Sequence, residues 1–240
     1  MRPQTSALAT AVRATSSPDD QLALLEGAYA GETAYIVACG PSLNDVMSPR
    51  LREFLRDKLV IAIKGAYGLL PEAADFQVSN RCRHAEQEHV DPATIRLAVE
   101  LVRFSEHVDV RLPFWFHPEH RWLHSVLFSR ALERWELGRG STRGWGPGIM
   151  LEVGVFLPVH LGCSKAVFFG WDMNPVDPTH YDVQNVAQQE LEEHVIVSNA
   201  MPQFVPTLQA WWRSHGVEAF LCSPRSAIPL PQLTVDELMA

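Results

Sequence analysis

The run LVIAIKG, residues 59–65, is five apolar residues followed by a lysine and a glycine. It does not alternate as a half-exposed strand would, and it is short for a helix. Such a run fits a strand covered on both faces, which is the condition of a parallel sheet flanked by helices. Just before it, AYIVACGPSLND (34–45) repeats the pattern: an apolar run breaks at Gly40-Pro41-Ser42, which cannot continue a strand and is suited to open a helix. ADFQVSN (74–80), VDVRL (108–112), KAVFFGWD (165–172) and VEAFLCS (217–223) read as further strands.

Helical segments stand between them. SSPDDQLALLEG (16–27) has Ser17 as N-cap, Pro18 in the first turn and Gly27 near the stop, and SPRLREFLRDK (48–58) repeats the Ser-Pro start. DPATIRLAVELVRF (91–104), residues 121–137, IMLEVGVFLPVHLG (149–162) with Pro158 near its end, and FVPTLQAWWRSH (204–215) also read as helices. Residues 1–16 read as a mobile tail before one domain, 17–240. The expected fold is therefore α/β: a single Rossmann-like domain, a mainly parallel sheet with helices on both faces, and a lid region over about 174–196.

A formal charge of -8 and a pI near 5.7 argue against nucleic acid or an anionic membrane as the main partner. No stretch approaches the roughly 18 apolar residues of a membrane span, and the N-terminus lacks a secretory apolar core, so a cytoplasmic location is expected. Cys39, Cys82, Cys163 and Cys222 are widely spaced, without C-x-x-C, and are expected as free thiols. FHPEHRWLH (116–124) gathers His117, Glu119, His120 and His124, but it is not H-E-x-x-H, and no metal site is assigned. FWF (114–116) and Trp211-Trp212 suit core or a subunit contact, which keeps a homo-oligomer among the expected assemblies.

In a doubly wound sheet ligands bind beyond the carboxyl ends of the strands. Those positions hold Gly40-Pro41-Ser42, Lys64-Gly65, Asn80-Arg81 and Gly170-Trp171-Asp172. Gly40 lets backbone approach a ligand, and Ser42 with the amides after it is placed to meet phosphate at a helix start. The turn is neither a G-x-G-x-x-G fingerprint nor a P-loop, and a plain strand-to-helix turn explains it equally well.

The ordered blocks IVACGPSLND, VIAIKGAY, DFQVSN, GPGIMLEVGVFLPVHLGCSKAVFFGWDM and VEAFLCSP resemble the bacterial lipooligosaccharide sialyltransferases. They also resemble the related family that includes 6-hydroxymethylpterin diphosphokinases. The likeness covers about 34–80 and 146–225. It implies a nucleotide site made of Gly40, Pro41, Ser42, Asn80, Pro147, Gly148 and Asp172 that holds CMP. Lys64 stands where those enzymes have an asparagine, Pro147 where they have a serine, and Asn174 where they have a tyrosine. Tyr181 falls near a tyrosine that donates to the leaving phosphate. Their base is a histidine in the following loop, for which this chain offers His194, favoured by position, and His180.

The function so implied is a metal-independent, inverting glycosyltransferase without a resident cofactor. It would move a sialic-acid-like sugar from a CMP donor to the hydroxyl of a glycan or other acceptor. Two alternatives stand beside it. One is a Mg²⁺-dependent diphosphokinase acting on a pterin-like alcohol, with Asp172 and then Asp75 as metal carboxylates. The other is a non-catalytic nucleotide-binding protein.

Overall fold

The residues of LVIAIKG explain the architecture. In a computed structural model of the chain, which describes residues 2–79, 91–99, 108–112, 150–174 and 204–240, Leu59–Ile63 form strand β2 with all five side chains buried. Leu59, Ile61 and Ile63 face one hydrophobic layer; Val60 and Ala62 face another. Its neighbour β1 (Thr33–Val37) divides likewise, with Ala34 and Ile36 on the first side and Tyr35 and Val37 on the second. A strand covered twice has no polar face to alternate with, and each such buried Leu, Ile or Val contributes roughly 1.5–3 kcal/mol.

The other strands are β3 (Phe76–Ser79), β4 (Ile95–Val99), β5 (Val110–Leu112), β6 (Lys165–Phe169) and β7 (Glu218–Leu221). They form one seven-stranded sheet in the order β5-β4-β3-β2-β1-β6-β7, and every pairing is parallel. The chain winds outward from β1 to β5, then returns to build β6 on the other side of β1. The β1/β6 boundary is therefore the topological switch point, where the crevice of a doubly wound sheet lies.

Helices cover both faces. The first layer takes α1 (Pro3–Ala14), α2 (Pro18–Leu25), residues 150–161 and the helix over 204–214. The second takes α3 (Leu43–Val46), α4 (Pro49–Leu55), the 3-10 segment Lys64–Leu69 and residues of the Val235–Met239 helix. Ser17 and Ser48 cap α2 and α4, accepting from Asp20 N and Leu51 N, with proline in each first turn. Among the described residues, no helix is long and apolar enough to cross a membrane.

Three local expectations are corrected. Residues 91–104 were expected as a helix, but Ile95–Val99 pair in parallel with β3, with Phe76 opposite Ile95 and Val78 opposite Leu97. Ile95 and Leu97 alternate into the first layer, so pairing with the open side of β3 overrides the helical reading. IMLEVGVFLPVHLG is not one helix: Met150–Gly154 make a π-type turn, and Leu157–His160 start afresh with Pro158 in their first turn. Proline lacks the N–H that a continuing helix needs and is tolerated only at such a start.

The third correction is the N-terminal tail, which is α1. Its Ala9 and Val12 are buried in the core. Arg13 holds Asp109 through two nitrogens at 2.7 and 3.1 Å and donates to the carbonyls of Pro92 and Thr94. Arg2 pairs with Glu32 at 2.7 and 2.9 Å and lies over the Tyr29 ring. Thr5, fully buried, joins the Tyr29 hydroxyl to the carboxylate of Asp75, whose other oxygen accepts Val60 N–H at 2.9 Å. These bonds fasten α1 across the amino edge of the sheet.

Burial pushes the Asp75 carboxyl above the usual carboxylate range, partly offset by the bonds from Thr5 and Val60. The folded chain thus holds the Asp75 proton more tightly than the unfolded chain. The stability linked to that proton is present in acid and is lost as pH rises through the folded value. An asparagine at this position can accept from Val60 N–H and donate to Thr5. Asp75→Asn should match the wild type in acid and equal or exceed its stability at neutral pH. Asp75→Ala should lose about 1–3 kcal/mol by leaving Val60 N–H without its acceptor. Urea denaturation of both variants across pH checks this.

Candidate functional site

At the switch point, the end of β1 is laced to the end of β6. Ala38 N–H donates to Phe169 O at 2.8 Å, Gly40 N–H to Gly170 O at 2.7 Å, and Ser42 N–H to Asp172 Oδ2 at 2.7 Å. The last is a buried contact: Ser42 is fully enclosed and Asp172 is 4% exposed. A carboxylate there satisfies a helix-start amide, as a bound anion would.

This closeness explains the glycines. A Cβ on Gly40 would lie 2.4 Å from Gly170 O and 2.5 Å from Asp172 Oδ2. Gly170 has φ 61°, and a Cβ on it would meet Leu43 Cγ at 2.7 Å. Gly40 therefore serves a close approach between two segments of the protein.

The remaining amides of the turn are also used internally. Leu43 N–H donates to Gly40 O, Asn44 N–H to Pro41 O and Asp45 N–H to Ser42 O, at 3.2, 3.0 and 3.0 Å. Pro41 has no N–H. From Gly40 to Asp45 the backbone thus has no uncommitted donor for a phosphate, and α3 is only four residues long. The expectation that this turn cradles phosphate through its amides is corrected: Asp172 holds the position. The Ser42 hydroxyl oxygen accepts Arg225 N–H at 3.0 Å.

The loop after β7 completes the edge. Arg225 grips Asp45 through Nε at 2.6 Å and Nη2 at 2.7 Å. Ser226 Oγ donates to Trp171 O at 2.8 Å, Ala227 N–H donates to Asp172 O at 2.8 Å, and Asn174 Nδ2 reaches Arg225 O at 3.4 Å. On the other side of β1, Cys39 Sγ donates to Ile63 O at 3.2 Å, next to Lys64. Lys64 (φ 52°) and Met173 (φ 43°) are the two non-glycine residues with left-handed backbone among the described residues, one on each side of the β1 end. A side chain is disfavoured in that conformation, and such residues concentrate at functional sites.

The structure thus brings Gly40, Pro41, Ser42, Asp172 and Asn174 together at the switch point, with Lys64 at the adjacent strand end. Asn80 follows the last residue of β3 and, like Pro147, Gly148, His180, Tyr181, His194 and the lid segment from 175 onward, lies outside the described residues. So do Cys82 and the histidine cluster at 116–124. Asp75 belongs to the opposite, amino edge, so its role as a metal carboxylate beside this site is corrected. Arg225 and Ser226 are additions that reading on past the last strand, Ser223-Pro224-Arg225-Ser226, would have found; Asp45, in α3, is a third, marked only by its contact with Arg225. The thiols of Cys163 and Cys222 are pushed up by burial to about 12 and about 11, which makes them poor nucleophiles.

No family model, no curated protein and no solved structure matches the chain.

Since the Gly40 contacts are with backbone and a buried carboxylate, Gly40→Ala should destabilise the fold by about 1–3 kcal/mol. The urea midpoint should fall with an unchanged m value.

Proposed function

We propose that the chain is a nucleotide-sugar-dependent glycosyltransferase of the sialyltransferase-like kind. It would carry an acidic sugar from a CMP donor to an acceptor hydroxyl at the carboxyl edge of the sheet, without a metal. The observation that carries this reading is the switch point itself. In an all-parallel sheet the β1/β6 crevice is where such folds take ligands, and the two left-handed non-glycine residues flank it. The order of the sequence blocks that resemble these transferases adds to it.

Because the turn amides are committed, side chains rather than backbone would meet the donor. Lys64 supplies a cation beside β1, and Asp172 keeps the turn in shape. In the reaction, a histidine of the 175–203 segment, His194 or His180, takes the proton of the acceptor hydroxyl. The acceptor oxygen bonds to the anomeric carbon from the face opposite the phosphate. The bond between that carbon and the phosphate oxygen breaks, and CMP leaves with the electron pair, assisted by Tyr181.

The diphosphokinase reading needs two carboxylates turned to Mg²⁺ at this edge. Asp75 is at the other edge, and Asp172 is buried with Oδ2 on Ser42 N–H. Among the described residues, the two carboxylates named for Mg²⁺ thus do not meet at this edge.

Thermal unfolding with CMP, CDP, and ATP plus Mg²⁺ tests it. CMP at 100 times its Kd should add about 2.7 kcal/mol. Stabilisation by ATP with Mg²⁺ and none by CMP would overturn the reading. A second test uses the strain at Lys64. Lys64→Gly suits the left-handed backbone and removes the cation, so the chain should stay folded by circular dichroism while CMP affinity falls by on the order of tenfold. Unchanged affinity in calorimetry would remove Lys64 from the site.

A further inference from the structure

The pair between Arg225 and Asp45 is the best-formed ion pair at the carboxyl edge among the described residues, yet its role in holding the fold is slight. Both side chains are open to solvent, 46% and 35% exposed. Pairs that open contribute little stability. The position of Arg225 is fixed by its backbone instead, through Ser42 Oγ and Asn174 Nδ2. What results is a guanidinium fork on an anchored backbone, beside the switch point, holding a carboxylate by two parallel bonds of 2.6 and 2.7 Å. A planar fork binds the two oxygens of a ligand carboxylate or phosphate in the same geometry.

The backbone amides of the turn from Gly40 to Asp45 are bonded within the protein, so this turn offers an anion no amide, while the guanidinium beside it offers a fork. We propose that Arg225 is the anion-recognition residue of the switch-point site. Asp45 is an internal stand-in that fills its fork until a ligand oxyanion takes its place. This rests on the reading of the site as one for a nucleotide-activated acidic sugar. On exchange, the Asp45 carboxylate passes to water, which costs little from so exposed a position, and the ligand inherits both bonds. The oxyanion could be the phosphate of the nucleotide or the carboxylate of the sugar, and the ligands in the experiment separate the two.

Calorimetry at one low salt concentration with CMP, with free sialic acid and with inorganic phosphate is compared for the wild-type chain, Asp45→Asn and Arg225→Lys. Removing the competing carboxylate should tighten the responding probe by roughly three- to fivefold. Arg225→Lys keeps the charge but loses the fork, and should weaken the same probe by on the order of tenfold. A response to CMP and phosphate assigns the phosphate; a response to sialic acid assigns the carboxylate. A merely structural pair gives the reverse pattern: Asp45→Asn lowers the urea midpoint and tightens nothing. If Asp45→Asn, folded by circular dichroism, binds none of the three more tightly than wild type, the proposal is overturned, whether or not the wild type binds CMP. If phosphate binding tightens while no variant binds CMP, the exchange stands and the nucleotide reading fails.

Discussion

The contact between the Asp172 carboxylate and the Ser42 amide is the constraint from which the carboxyl edge is built. A carboxylate taken out of water is costly unless its oxygens are bonded. The bond from Ser42 N–H to Asp172 Oδ2 holds the turn after β1 against the end of β6. Gly40 then has no room for a side chain, and Met173, directly after the carboxylate, takes a left-handed backbone. The loop after β7 is drawn in through bonds to Asp172 O and Ser42 Oγ, which leaves Arg225 at the rim. Through its carboxyl group and its backbone carbonyl, Asp172 thereby joins three chain segments that are far apart in sequence.

The two edges of the sheet use charge differently. At the amino edge, Arg13 with Asp109, Arg2 with Glu32, and Asp75 with Thr5 are directed inward or along the protein surface, and their geometry is spent on attaching α1. At the carboxyl edge, Lys64 and Arg225 stand where a doubly wound sheet takes ligands. Two aspartates named for the same role from sequence, Asp75 and Asp172, separate once the edges are known. One fastens a helix; the other shapes a turn.

Whether a feature could be read from sequence followed its range along the chain. β1, β2 and β6 were legible because burial on both faces suppresses alternation within five residues, and α2 and α4 because Ser-Pro starts are local. β4 was not, since Ile95 to Val99 takes its state from pairing with β3. Nor was α1, whose decisive partners are Glu32, Asp75 and Asp109. At the site, the rule of residues following strands located Gly40, Ser42, Lys64 and Asp172. It could not show that the amides there were already bonded, because the acceptor for Ser42 lies 130 residues away.

The attachment of α1 also sets an order of assembly. Thr5 and Arg13 leave the ribosome before Asp75 and Asp109, which follow 70 and 96 residues behind their partners. The packing of α1 against α2, with Gln21 Nε2 on the carbonyls of Val12 and Thr15, is local in sequence, whereas the bonds to Asp75 and Asp109 wait for β3 and β5. Closing the amino edge through those two aspartates is a step of high contact order. The helix pair α1–α2 is thus joined by local contacts, and its attachment to the sheet by distant ones, which makes the amino edge a place where two ranges of interaction meet.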